Sequence, residues 1–204
     1  MNSLNKYRIG VLASGRGSNF KAIATAIKDQ KIDATISILI VDNKDAPVLK
    51  LASEFGIKSE TVDRKDYSSK DQFELAILHI LELAKVDLIC LAGFMRILSS
   101  QFLSRVNASI VNIHPSLLPK YPGLNPQQQA LAANDTESGC TVHFVDEGID
   151  TGPIILQKKV AIDENETVES LSQKILLIEH QLYPEAIGLL ISNRFSPKVD
   201  QNES

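Results

Sequence analysis

Arg8-Ile9-Gly10-Val11-Leu12-Ala13-Ser14-Gly15-Arg16-Gly17-Ser18-Asn19 decides how the rest of this 204-residue chain is organised. It passes from a short apolar stretch through a glycine-bearing turn into the start of a helical pattern. A continuously apolar strand is covered on both faces, as the strands of parallel sheets are. The same unit recurs outward from it. Strand-like runs occupy residues 8–13, 35–41, 58–62, 86–92 and 108–113, with helical spacing at 19–29, 46–55, 70–85 and 99–105. This alternation predicts an α/β fold, a mostly parallel central sheet flanked by helices. After His114 the pattern changes: residues 141–145 and 153–161 read as an antiparallel strand pair across the turn 146–152. A long final helix follows over 166–193, capped by Thr167 or a neighbour. With no internal repeat and no low-complexity linker, a single domain over 1–194 is expected, with 195–204 a flexible polar tail.

Bulk properties exclude several classes. A net charge of -4 argues against a protein that grips nucleic-acid backbone. No apolar run approaches the ~18 residues of a membrane span, and Met1 to Tyr7 lacks the apolar stretch of a secretory signal. Two cysteines, Cys90 and Cys140, make neither a disulfide framework nor a metal cluster, and Cys90 sits in an apolar run. That usage fits a reducing, cytoplasmic setting.

Three segments carry chemistry. In the first, the glycines of Ser14-Gly15-Arg16-Gly17-Ser18-Asn19 allow close backbone approach to a ligand, and the following helix start offers N–H groups to an anion. Phe20 stands where a dinucleotide fingerprint needs its third glycine, and no Gly-Lys-Ser/Thr ending makes a triphosphate loop. A phosphate monoester on Gly17, Ser18 and Asn19 fits. The plainer alternative is an ordinary turn capped by Ser18 or Asn19. The second segment, Leu91-Ala92-Gly93-Phe94-Met95-Arg96-Ile97-Leu98, ends the fourth strand, where open α/β sheets bind ligands. Phe94, Met95, Ile97 and Leu98 suit an apolar slot for a flat ring, with Arg96 at its rim; simple packing is the rival reading, stronger for Phe94 than for Met95.

The third segment is Asn112-Ile113-His114-Pro115-Ser116-Leu117-Leu118-Pro119. Side chains alternate along a strand, so Asn112 and His114 share a face, and Pro115 ends the ladder. The acidic loop Asp146-Glu147-Gly148-Ile149-Asp150-Thr151-Gly152 can bring Asp150 over them. A carboxylate beside the imidazole would raise its pKa, and an imidazolium with an amide N–H would stabilise an oxyanion. No Ser or Cys has the setting of a nucleophile, so direct acyl transfer is the simplest chemistry. Of the other histidines, His79 reads as helix packing and His143 as a supporting group. His180 follows Glu179 on the last helix, where Glu179 could meet a substrate amine or hydroxyl. The four histidines fit no metal spacing.

These three motifs, with Gly139-Cys140-Thr141-Val142-His143-Phe144-Val145, Asp150-Thr151-Gly152-Pro153-Ile154-Ile155-Leu156-Gln157 and Glu179-His180, resemble the phosphoribosylglycinamide formyltransferase family from about Arg8 to about Ile191. The resemblance implies a Rossmann-like formyltransferase fold and a reaction of purine synthesis. The co-substrate would be 10-formyltetrahydrofolate and the acceptor the amine of glycinamide ribonucleotide, in a metal-free monomer or homodimer. It implies a phosphate-binding half over about 7–110 and a folate-binding, catalytic half over about 111–194. Gly17, Ser18 and Asn19 would hold the phosphate, and Leu176, Leu177, Ile178 and Glu179 the rest of the ribonucleotide. Lys70, Met95, Arg96, Ile97, Leu98 and Asn112 would meet the folate, with Asp146, Glu147, Gly148, Ile149 and Asp150. Lys70 stands where the family often has arginine, which keeps charge but loses the bidentate fork. Asn112 would polarise the formyl oxygen, His114 act as acid, and Asp150 relay protons. The family usually has a histidine before Gln-Ala-Leu; here Asn125-Pro126-Gln127-Gln128 has none, so its role is either absent or carried by Gln127.

Two relatives of that chemistry are disfavoured. Formyltetrahydrofolate hydrolase normally carries an extra N-terminal domain, and methionyl-tRNA formyltransferase a C-terminal one. A non-catalytic ribonucleotide- or folate-binding protein would leave the three catalytic residues incidental.

Overall fold

The structure is a computed structural model and describes residues 6–192. Its elements run β1 (Tyr7–Ala13), α1 (Ser18–Lys28), β2 (Ala34–Val41), α2 (Val48–Glu54), β3 (Ser59–Thr61), α3 (Lys70–Leu83), β4 (Leu88–Leu91), α4 (Ser100–Arg105), β5 (Ser109–His114), α5 (Pro126–Ala132), β6 (Glu137–Phe144), β7 (Ile154–Ala161) and α6 (Val168–Ile191). The seven strands form one sheet in the order β3-β2-β1-β4-β5-β6-β7. Pairing is parallel through β5, then antiparallel from β5 to β6 and β6 to β7. The expected mixed sheet is present. The expected tail at 195–204, and Asn193 at the end of the last helix, lie outside the described residues.

Burial on both faces follows from the period of two. Val11 and Ala13 of β1 join a core with Phe20, Ile23, Ile175 and Tyr183 on one side of the sheet. Leu12 between them joins Ile38, Phe73, Ile77 and Phe102 on the other. Hydroxyl caps set three helix starts: Ser69 accepts from the Gln72 N–H, Ser99 from that of Phe102, and Thr167 forms a reciprocal capping box with Ser170. Helix α5 is the element the sequence conceals. Its Gln-rich turns bury only Pro126 and Ala130, too little for a readable apolar stripe.

Chain order reverses between β1 and β4. There two crossovers diverge and leave a crevice beyond the carboxyl ends of the strands. The loops after these strands are tied across it. The Ser14 N–H donates to the Gly93 carbonyl at 3.0 Å, and the Met95 N–H to Ser14 Oγ at 2.9 Å.

Candidate active site

Three elements converge at the end of β5. Asn112 and His114 lie on one face of that strand, and the antiparallel register sets His143 of β6 opposite Asn112. Asp150 arrives from the loop between β6 and β7 in a left-handed backbone conformation, φ 56°. Its Oδ2 lies 3.1 Å from His114 Nδ1 and accepts the Gly123 N–H at 2.8 Å. Its Oδ1 is 3.5 Å from both Asn112 Nδ2 and His143 Nε2. His143 Nδ1 is 2.8 Å from the Phe144 carbonyl, which can only accept, so that nitrogen carries a proton. His143 was expected as a supporting group and stands inside the cluster.

His114 is 5 % exposed, and each of its nitrogens faces an oxygen: Asp150 on one side, the Tyr121 carbonyl at 2.9 Å from Nε2 on the other. Burial lowers its pKa. It outweighs the upward push of the Tyr121 carbonyl and the Asp150 carboxylate, with His143 pulling the same way as burial. The expectation of a raised pKa is therefore corrected: the carboxylate does push upward, but desolvation of the imidazolium is larger. Asp150 shows the opposite balance. Burial pushes its pKa up, yet the donors around it (His143, the Gly123 N–H and His114) bring the net value below the ordinary range. It is a carboxylate at neutral pH.

This cluster opens into a cavity of about 780 Å³. Gly93 to Leu98 line one side, Asp146, Gly148, Ile149 and Asp150 another, and Gly123 to Pro126 a third. Met95 and Ile97 are 75 % and 64 % exposed on the slot wall, whereas Leu98 is buried and Phe94 partly packed into the core beneath. Arg96 is part of this wall and is also held from behind. Its Nε donates to the buried Asp42 at 2.5 Å, and its guanidinium lies 5.4 Å over Phe73, so its charge clamps the loop. Two expected folate residues, Lys70 and Glu147, are not in the lining. Lys70 lies 3.7 Å from Glu74 one helical turn on. Where the sequence suggested Gln127, the lining holds Asn125 instead. A smaller cavity, about 210 Å³, lies near Lys85 and Arg105, with none of these residues in its walls.

The glycine loop occupies the other side of the crevice. Gly17, at φ 75°, is the N-cap of α1, and no side chain caps that helix, so neither Ser18 nor Asn19 takes the capping role. Asn19 reaches across to α6 instead: its Nδ2 donates to Glu179 Oε2 at 2.8 Å, while its Oδ1 is buried without a partner. Of the neighbouring α6 residues, Ile178 packs on the core and Leu177 is mostly exposed, so Glu179 is the one tied to the loop. Burial drives the Glu179 pKa up to about 7, against the downward pull of Asn19.

A stability prediction follows. A carboxyl that resists ionising until about pH 7, against 4.5 when unfolded, binds more protons in the folded state. It destabilises the fold increasingly as pH rises from 4.5 through 7, by about 3 kcal/mol above that. Glu179→Gln is expected to melt above the parent at pH 8, the gain shrinking toward pH 5. Melting curves across that range check it, and a pH-independent difference would contradict it.

His79 is exposed on α3, which corrects its reading as packing. His180 is half-buried, with Nε2 enclosed and unpartnered. Among the described residues no group of three or more His, Cys, Asp or Glu is placed to hold a metal ion, and no helix is long and apolar enough to cross a membrane.

The chain belongs to the formyl transferase family, whose model matches residues 7–187. It is 45 % identical to the phosphoribosylglycinamide formyltransferase of Bacillus subtilis over 184 residues, covering 90 % of this chain and 94 % of that one. It resembles the crystal structure of glycinamide ribonucleotide transformylase 1 from Symbiobacterium toebii with a TM-score of 0.92 and 43 % identity, over 95 % of this chain and 92 % of that chain. It is also 46 % identical over 204 residues, 98 % of its own length, to the trifunctional purine biosynthetic protein adenosine-3 of Drosophila melanogaster, of which it spans 15 %.

Proposed function

We propose that this chain transfers the formyl group of 10-formyltetrahydrofolate to the amine of glycinamide ribonucleotide, in the cytoplasm, as a step of purine synthesis. The observation that carries the reading is the meeting of Asn112, His114 and Asp150 at the mouth of the ~780 Å³ cavity, with the glycine loop across the crevice. The cavity takes the folate, with Met95, Ile97 and Ile149 against its ring system. Gly17, Ser18 and Asn19 take the phosphate, and Glu179 the body of the ribonucleotide.

The chemistry needs no covalent enzyme intermediate. The acceptor amine attacks the formyl carbon, and the carbonyl electrons move onto oxygen. Asn112 Nδ2 sits 3.4–3.5 Å from its present neighbours, too long for strong hydrogen bonds, and can turn its N–H to that oxygen. The His114 Nε2–H, held by the Tyr121 carbonyl at 2.9 Å, is the second donor once it swings from that carbonyl to the developing oxyanion. As the carbon–nitrogen bond to folate breaks, the proton lost by the attacking amine passes to the departing nitrogen. Asp150, ionised and 3.1 Å from His114, is placed to carry it.

The test is a stoichiometry. Enzyme, formyl donor and glycinamide ribonucleotide are expected to yield formylated ribonucleotide and tetrahydrofolate in equal amounts. Formate release without acceptor formylation would replace the proposal with hydrolysis. Binding without turnover would replace it with a carrier role.

A further inference from the structure

Tyr183 is the largest fully buried side chain, at 0 % exposure. It comes from α6 and reaches the seam between β4 and β5. Its hydroxyl lies 3.0 Å from the Leu91 carbonyl and 3.0 Å from the Val111 carbonyl. A phenol has one proton, so it is shared between two acceptors, and the Cys90 thiol completes the contacts of the oxygen. The position of this bridge gives it consequence. At Leu91 the pairing of β4 with β5 ends, and the chain turns out through Ala92 and Gly93 into the slot loop. The Val111 carbonyl belongs to the same peptide plane as the Asn112 nitrogen, so tilting one turns the other. Four residues earlier on the same helix, one turn away, Glu179 faces Asn19.

We propose that the Tyr183 hydroxyl is a positioning group for formyl transfer: it pins the end of β4 to the middle of β5 and so sets Asn112 and the Gly93–Leu98 wall relative to the acceptor side on α6. This rests on the function proposed above. Tyr183 touches no substrate in this role. A displacement of Asn112 by a fraction of an ångström loses transition-state contact while both substrates still bind, because binding relies on many other groups.

The test is Tyr183→Phe, which keeps the ring in the core and removes the bridge. Steady-state kinetics well below the melting temperature are expected to show kcat at least tenfold lower, with the KM of each substrate within about twofold of the parent. Cys90→Ala is the companion. It opens the same core region but leaves the carbonyl bridge, and is expected to keep kcat within about twofold while melting lower. A Tyr183→Phe enzyme with parental kcat and a lower melting point would overturn the proposal. So would a loss confined to KM, or an equal kcat loss in Cys90→Ala. Failure of Tyr183→Phe to fold would overturn it too, since the hydroxyl would then carry the fold as a whole. If the parent itself gives no formylated ribonucleotide, it is the reading of function that fails.

Discussion

Asp150→Asn is expected to bind folate nearly as the parent does and to turn over about 100- to 10,000-fold more slowly. The substitution keeps the size of the side chain and one oxygen for the Gly123 N–H, so the loop retains its anchor. What it removes is the charge 3.1 Å from His114. Burial already holds the His114 pKa below 6.5, and the carboxylate is among the groups opposing that. Without it the pKa falls further, and less imidazolium is present at any pH above it. The pH–rate profile of the variant therefore shifts to the acid side, and imidazole titration by NMR reports the same direction. Parental turnover with an unmoved profile would remove Asp150 from the proton path.

Gly17→Ala is expected to damage the other side of the crevice as heavily, through backbone rather than charge. At φ 75° an L side chain is strained, and a Cβ there would fall within the Val48 side chain. The loop cannot simply move off, because the Val48 N–H donates to the Gly15 carbonyl at 3.2 Å. Strain and overpacking together cost about 2–5 kcal/mol. The ribonucleotide KM is expected to rise about 10- to 100-fold as the N–H groups at the start of α1 lose their aim, with the folate KM nearly unchanged. Thermal melting and the two KM values check this. An enzyme with both at parental values would show that the turn tolerates a side chain and holds no phosphate.

The parallel part of the sheet was legible because β1, β2, β4 and β5 are largely apolar or β-branched runs whose spacing leaves room for helical crossovers. The Asn112–His114 pair was legible because strand alternation alone puts them on one face. The sequence could not balance His114. Its pKa depends on how deeply the loop after β5 buries the ring, a tertiary quantity. For Arg96 the motif signalled the slot wall but not its ion pair, because Asp42 lies 54 residues away, just after β2. Lys70 found a nearer partner in Glu74. Tyr121 escaped notice because its contribution is a backbone carbonyl, which no side-chain pattern signals. Asn125 escaped because its loop has no periodicity to orient it.

Every wall of the large cavity comes from residues 91–150, whereas Asn19 and Glu179 lie outside that interval. Under the proposed reading, the machinery that holds and activates the donor is one uninterrupted cassette of about sixty residues. The acceptor is met by the first turn of α1 and the middle of α6. Choice of acceptor is then a separable property: rewriting those two helix surfaces would present the same activated formyl group to a different amine. The boundary of such a rewrite is set at Tyr183, one turn beyond Glu179, where the outer helix takes hold of the cassette.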